Sequence, residues 1–245
     1  NWKASSPYRQ RTSAPIATSA SQYVPCTPSR SRRNRSLSES IVFMDCSLSS
    51  IVCAHMVLDE SSDVEVHMVT DLFEVGMYGE TPGIISESGW PIGDDHWLSN
   101  TGFNRPGEDD TAIRSSWLKK SMAISLAHRG AHFHTGTHTT EVDSQGKEVT
   151  LSYPGGKTQT RIQFDHLVTT RLETDKVWRG AITASPPPSE SISGRRPDGT
   201  YEMWWLGDET PENPLQLMDW VGHDPRTALT DAVTLAISKL TNIKK

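Results

Sequence analysis

The first forty residues constrain this chain most, because they cannot form a packed core. Residues 1–40 include ten serines, and prolines recur among arginines. A segment with so few apolar side chains cannot bury enough surface to offset the entropy lost on ordering. We therefore expect a basic Ser/Pro-rich tail over 1–40, disordered or ordered by a partner. A single domain is expected over 41–240.

The charge is divided unevenly between these two parts. Residues 1–40 hold seven Lys and Arg residues against one Glu, a net charge of +6. Because the whole chain carries −6, the remainder carries −12. Such an acidic domain repels a phosphate backbone unless a metal ion or a local basic patch intervenes. The tail is therefore the surface predicted to dock onto other protein subunits, with nucleic acid as the alternative.

Compartment and membrane signals point to an intracellular protein. The tail lacks the apolar segment of a secretory signal. Its Arg/Ser-rich, acid-poor composition resembles an organelle transit peptide, and a disordered linker is the equal alternative. Cys26, Cys46 and Cys53 form no C-x-x-C motif, which argues against a disulfide framework or a structural zinc site. No apolar stretch approaches the roughly 20 residues of a membrane span.

The order of apolar patterns predicts an α/β domain. Ile41–Cys46 and Ser50–Leu58 are interpreted as two strands of a hairpin, and Asp63–Gly76 and Thr111–Ala127 as helices. Further strands are predicted at Gly83–Ile85, Thr137–Thr140, Val149–Tyr153 and Arg161–Thr170, with a strand or helix at Ala228–Leu240.

Three stretches in a fixed order suggest a family. Glu87–Gly93 has the sequence ESGWPIG, Arg161–Thr169 has RIQFDHLVT, and Gly222–Leu235 has GHDPRTALTDAVTL. Together they resemble the endonuclease/exonuclease/phosphatase family, and within it the retrotransposon-type nuclease domains. The resemblance covers roughly residues 41–237. It implies a two-sheet α/β sandwich of the nuclease-like type, incomplete at its N-terminal edge.

The resemblance also implies a site, which departs from the family pattern. Its catalytic positions fall on Glu87, Asp165 and Asp224, with His223 as a shifted replacement for the family's final histidine. Pro225 stands at that histidine's own position and has no side-chain donor. Phosphodiester cleavage depends on a metal ion and on donors placed to stabilise developing charge. The four positions are therefore interpreted as vestigial.

Two functions follow from this resemblance. The first is a non-catalytic structural or binding subunit on a degenerate phosphodiesterase fold, without a cofactor and within a larger assembly. Its partners would be protein subunits that contact the tail and Trp-rich loops containing Trp90, Trp97, Trp204, Trp205 and Trp220. A position in the core is the equal alternative for these tryptophans. The alternative is an active Mg²⁺-dependent endonuclease or phosphodiesterase.

Two shorter resemblances lead elsewhere. His134-Thr-Gly-Thr-His138 resembles the H-x-G-T-H metal motif of cyclase-type amide hydrolases, and two imidazoles four residues apart can share a metal ion. Thr140 stands where that family has Asp, so solvent-facing histidines are the alternative. Glu87–Pro91 resembles the nucleophile segment of plant β-1,3-glucanases, but this chain has too few βα units for that barrel.

Overall fold

A parallel four-stranded sheet lies at the centre of the fold. The computed structural model describes residues 38–76, 80–87, 89–100, 103, 105–156, 158–170, 174–188 and 190–244. The predicted tail falls almost wholly outside these residues. The described part belongs to one compact unit, Leu37–Lys245. Within it, no helix is long and apolar enough to cross a bilayer.

The central sheet is built on a βαβ unit. Strand β1 (Ser40–Phe43) leads through helix α1 (Leu48–Glu60) to strand β2 (Glu65–Val69), which pairs parallel with β1. Helix α2 (Ser115–His128) precedes strand β3 (His132–His134), which extends the sheet beyond β2.

Two antiparallel sheets and a final helix complete the chain. Strands β4 (His138–Asp143), β5 (Glu148–Ser152) and β6 (Gln159–Gln163) form a three-stranded sheet. Strand β7 (His166–Val168) then pairs parallel with β1, which gives the central order β3-β2-β1-β7. The last sheet has the order β11-β8-β10-β9, with β8 Val177–Thr183, β9 Ile192–Arg195, β10 Tyr201–Trp205 and β11 Gln216–Val221. Helix α3 (Ala228–Ile243) packs against α1.

The central sheet has a core on each face. On one face, Ile41, Phe43 and Met68 pack with the helices. On the other, Val42 and Val69 pack with side chains of β5 and β6. Alternate residues of a strand point to opposite faces, so each short strand serves both cores. Of the tryptophans for which surface loops and the core were equal alternatives, Trp97 and Trp204 are in the core, with 5% and 1% of their surface exposed.

The predicted hairpin over Ile41–Leu58 is wrong, because its second half is α1. Ser47 caps this helix, and its side chain accepts a hydrogen bond from the Ser50 N–H at 3.1 Å. The helix is buried between the sheet and α3, so apolar residues surround most of it. A continuous apolar run of this kind does not distinguish a buried helix from a buried strand.

The helix predicted over Asp63–Gly76 is also wrong, because this segment contains β2. Val66 and Met68 pack in the core between the sheet and the helices, while Glu65 and His67 point to the opposite face. This two-residue alternation is the strand signal that the apolar count concealed. The strand predicted at Gly83–Ile85 is reduced to one bridge between Ile84 and Ala112.

Helix α2 confirms the prediction of a helix near Thr111–Ala127 but begins at Ser115. Its first turn is held by Glu80, whose carboxylate accepts hydrogen bonds from the Ser116 N–H at 3.3 Å and the Ser116 hydroxyl at 2.8 Å. The predicted α/β class is confirmed. The nuclease-like two-sheet sandwich is not, because the central sheet is parallel and covered by helices on one face.

Candidate functional site: the switch-point pocket

The order of the central strands marks one edge of the sheet as the place for a ligand. From β1 the chain passes to β2 on one side, and β7 returns to the other side of β1. In open parallel sheets, ligands bind outside the carboxyl ends of the strands at such a reversal of strand order. The segments that follow β1 and β7 therefore face a candidate site.

A pocket of about 130 Å³ lies at this edge. We call it the switch-point pocket. It is lined by the start of α1, by the segment after β7, by Trp220 of β11, by the start of α3 and by parts of two loops: Ser47, Leu48, Ser49, Thr81, Pro82, Thr170, Trp220, His223, Ala228, Leu229, Asp231, Ala232 and Leu235.

The walls of the switch-point pocket are mostly apolar, with hydroxyl groups between them. Trp220, Leu48 and Leu229 supply apolar surface, and Ser49 and Thr81 supply hydroxyls. Among the described residues that line it, His223 and Asp231 carry titratable side chains and none is Lys or Arg. The Asp231 carboxylate is already engaged, because the Thr227 hydroxyl donates to it at 2.7 Å.

Asp45 joins the two strands that flank the pocket. Its Oδ1 accepts hydrogen bonds from the Ser47 N–H at 2.9 Å and the Ser50 hydroxyl at 2.7 Å. Its Oδ2 accepts from the Thr170 N–H at 3.1 Å. The carboxylate thus lies at the N-terminal end of α1, where the helix dipole favours negative charge.

These contacts keep Asp45 ionised. Burial by itself raises the pKa of the carboxyl group. The hydrogen bonds from Ser50, Ser47 and Thr170 outweigh burial and lower the pKa below its ordinary value of 3.8. At neutral pH the negative charge of Asp45 therefore already lies at the N-terminal end of α1, where an anionic ligand would otherwise bind.

This arrangement does not fit the pyrophosphate of a dinucleotide, the ligand that parallel βαβ units commonly bind. Such units carry G-x-G-x-x-G between the first strand and the helix, so that the backbone can approach the phosphates. Met44, Cys46 and Ser49 stand at the three glycine spacings here. One part of the pattern is present, since Asp71 follows β2 about 20 residues further on, where an acid contacts the ribose.

The four positions implied by the nuclease resemblance do not share a cleft. Asp165 lies at the amino end of the sheet, where its Oδ2 accepts the Ser40 N–H at 2.9 Å. His223 lies with Thr170 at the carboxyl end, and five extended residues separate Asp165 from Thr170 by about 16 Å. Glu87 is exposed in a loop, and half-buried Asp224 forms an ion pair with Arg226.

The two histidines of the H-x-G-T-H segment have different surroundings. His134 ends β3 and its ring lies against that of His67. His138 begins β4 and is exposed.

Comparison with solved structures identifies proteins that share this fold. Neither a protein-family model nor a curated protein matches the sequence. The solved structure of AlpK is similar, with a TM-score of 0.52 and 12% identity over 84% of this chain and 62% of AlpK. BexE, studied for oxidation during BE-7585A biosynthesis, has a TM-score of 0.51 and 12% identity over 84% of this chain and 63% of BexE. CabE, an aromatic hydroxylase from angucycline biosynthesis, has a TM-score of 0.51 and 10% identity over 84% of this chain and 62% of CabE.

These similarities contradict the interpretation of the chain as a nuclease-type domain. This chain shares its fold with proteins such as CabE and BexE and spans less than two thirds of their length. The resemblance to the endonuclease/exonuclease/phosphatase family is wrong, and so are both functions drawn from it. Phe164–Val168 misled because it contains a core strand, and apolar alternation in a buried strand is common to many α/β folds.

Of the residues that line the switch-point pocket, the sequence interpretation singled out His223 and Trp220, each in another role, and missed the contact between Asp45 and Thr170 beside them. The available signal was polar residues directly after buried strands, namely Asp45 after β1 and Thr170 after β7. Reading the run after Ser47 as a strand removed the βαβ unit, and with it the reason to place these two segments together.

Proposed function

We propose that this chain is a domain of an aromatic-hydroxylase type of oxidative enzyme, and that its switch-point pocket binds the uncharged aromatic part of a ligand. The observation that carries this proposal is the Asp45 carboxylate at the N-terminal end of α1. It fills the position of an anionic group and leaves a pocket with apolar and hydroxyl walls beside it.

The walls suit a flat ring system. Trp220 offers an aromatic side chain, and Leu48 and Leu229 offer aliphatic surface. Ligand pockets of this kind pair an apolar lining with a few polar groups that fix orientation. The Ser49 and Thr81 hydroxyls and the His223 imidazole fill that role here.

Electrostatics exclude a phosphate at the same place. Two like charges about 4 Å apart repel by roughly 4 kcal/mol at an effective dielectric constant of about 20. A pyrophosphate against α1 would meet the ionised Asp45 at short range, without Lys or Arg among the described lining residues to offset it. The pocket therefore discriminates against ligands that carry phosphate on α1.

The fold supports the assignment to oxidative chemistry. CabE is an aromatic hydroxylase, and BexE takes part in an oxidation, both in the same fold as this chain. This chain spans 62–63% of the lengths of these two proteins. That its protein catalyses a complete oxidation is therefore itself part of the proposal. What its own residues do is bind and orient an aromatic group.

A matched pair of ligands tests the proposal. Riboflavin and FAD share one aromatic ring system, but only FAD carries a pyrophosphate. Isothermal titration calorimetry with the full chain should give a dissociation constant for riboflavin at least about tenfold lower than that for FAD, a difference of about 1.4 kcal/mol. Trp220 fluorescence should change on binding, and a Trp220→Phe variant should lose that change. A Trp117→Phe variant, altered at an exposed tryptophan of α2, should retain it.

Two results would contradict the proposal. Tighter binding of FAD than of riboflavin would show that α1 accepts a pyrophosphate despite Asp45. Binding of neither ligand nor of simpler aromatics such as 2-naphthol would show that the pocket does not take aromatic rings.

A further inference from the structure

Three histidine side chains and one glutamate side chain lie on one face of β2 and β3. Glu65 and His67 alternate on β2, and His132 and His134 alternate on β3. The parallel register places His67 beside His132 and Val69 beside His134. Since alternate residues share a face, all four side chains emerge on the same side of the sheet.

His67 is the centre of this group. Its Nδ1 lies 3.1 Å from the His134 Nε2, and its Nε2 lies 3.3 Å from the Glu65 Oε1. Its ring stacks with that of His132 at 5.1 Å and with that of His134 at 5.3 Å between centroids. His67 is buried, and His134 is half-buried.

We propose that His67 and His134 bind a transition-metal ion of the Zn²⁺ class, with His132 supplying a third nitrogen. Zinc–nitrogen bonds of about 2.0–2.1 Å at a tetrahedral angle place two ligand nitrogens about 3.3 Å apart. The His67 Nδ1 and the His134 Nε2 are already within a few tenths of an ångström of that separation. His132 has an exposed side chain and can turn toward the ion.

Glu65 makes His67 a suitable ligand. A metal-binding histidine commonly donates its other ring N–H to a carboxylate, which fixes the ring and its tautomer. If the His67 Nε2 carries the proton toward Glu65, the lone pair is on Nδ1, the atom that faces His134. Glu65 is therefore a positioning residue for the site.

Another group of possible ligands lies elsewhere and provides a control. Asp59, Asp94 and His96 have ligand atoms close together but are exposed. The Asp59 oxygens already accept hydrogen bonds from the His96 Nε2 at 2.7 Å and the Trp97 Nε1 at 2.7 Å. Arg129 also donates to Asp59.

Calorimetry with ZnCl₂ and electron paramagnetic resonance with Cu²⁺ test the site on the full chain. We expect one equivalent of Zn²⁺, and a Cu²⁺ spectrum with splitting from at least two nitrogens. His134→Ala should lower the Zn²⁺ affinity at least tenfold, and Glu65→Gln should lower it about tenfold or more, the usual range for a supporting carboxylate. His138→Ala and His96→Ala should leave the affinity unchanged.

The proposal fails if the unmodified chain shows no Zn²⁺ binding in the same titration, since His67 and His134 then share only a hydrogen bond. It also fails if binding survives His134→Ala and is lost in His96→Ala. Should His134→Ala not fold, the nitrogen count in the Cu²⁺ spectrum of the unmodified chain decides. Splitting from fewer than two nitrogens overturns the site.

Discussion

Thr170 donates two hydrogen bonds to Asp45, from its backbone N–H at 3.1 Å and from its hydroxyl at 2.9 Å. The two residues are 125 positions apart in the sequence and follow neighbouring parallel strands. This contact therefore fixes the carboxyl ends of β1 and β7 to each other. It also uses both oxygens of the carboxylate as hydrogen-bond acceptors. The side of the switch-point pocket next to α1 is therefore formed by groups of the protein itself.

Asp45→Asn tests how much this contact contributes to folding. The amide removes the charge that accepts hydrogen bonds from Ser47, Ser50 and Thr170, and its NH₂ group faces donors. Hydrogen bonds to a charged group contribute about 1.5–3 kcal/mol, so we expect a loss of that order in the free energy of unfolding. Urea denaturation measures it. Asp71→Asn, at an exposed carboxylate, is the control. Equal midpoints for Asp45→Asn and the unmodified chain would contradict the prediction.

The fold class was predictable from the sequence, but the topology was not. Short apolar runs such as Ile51–Leu58 satisfy the pattern of a buried strand and of a buried helix equally well. What decides between them is the neighbour, here the sheet on one side and α3 on the other. Helix α3 begins at Ala228, 170 residues after Leu58, so its position beside this run could not be inferred from the local sequence.

The candidate site was harder to predict from the sequence than the topology. Asp45 and Thr170 carry no motif, and they become meaningful only when β7 pairs beside β1. His134 was noticed because of His138, four residues away, whereas its actual partner is His67 on a neighbouring strand. Sequence spacing identifies partners within one element, but a parallel sheet brings together residues from separate strands.

Filling the switch-point pocket should abolish aromatic binding. Ala232 lines the pocket on α3, so Ala232→Phe places a ring in the space that the ligand requires. Thr234→Phe adds the same ring at an exposed position of the same helix and is the matched control. We expect riboflavin affinity to fall at least tenfold in the first variant, about 1.4 kcal/mol, and to be unchanged in the second. A parallel loss in both variants would place the binding site elsewhere.

The last sheet depends on a buried ion pair. Both the Arg196 Nε and Nη2 donate to the Glu202 Oε2, at 2.9 and 2.6 Å, and both residues are buried. The Glu202 Oε1 also accepts the Gly83 N–H and the Trp204 indole N–H, each at 2.7 Å. Burial raises the pKa of Glu202 even though Arg196 opposes the rise.

Glu202→Gln should therefore be strongly destabilising, because it leaves the Arg196 charge buried without a partner. We expect a loss of about 3–5 kcal/mol in the free energy of unfolding. Glu60→Gln removes the partner of Lys244 in a half-exposed ion pair and should cost less than about 1 kcal/mol. Urea denaturation of the two variants makes the comparison. Similar losses in both would show that the buried pair is not special.

Stability should fall on mild acidification because of His55. This side chain is buried, with its Nε2 3.0 Å from the Met122 carbonyl oxygen and its Nδ1 accepting from Arg129 at 2.9 Å. Burial lowers the pKa of His55 to about 4, and Arg129 adds to the effect. The folded chain therefore resists a proton that the unfolded chain takes up near 6.5. The contribution is complete above about pH 6.5 and is lost as the pH falls toward 4.

Between pH 7.5 and 4.5 we expect a loss of about 2–3 kcal/mol from this residue in urea denaturation. His55→Gln, which can keep both hydrogen bonds, should flatten the dependence by that amount, leaving the contribution of His67 in the same direction. Parallel pH profiles for the variant and the unmodified chain would exclude His55 as a cause.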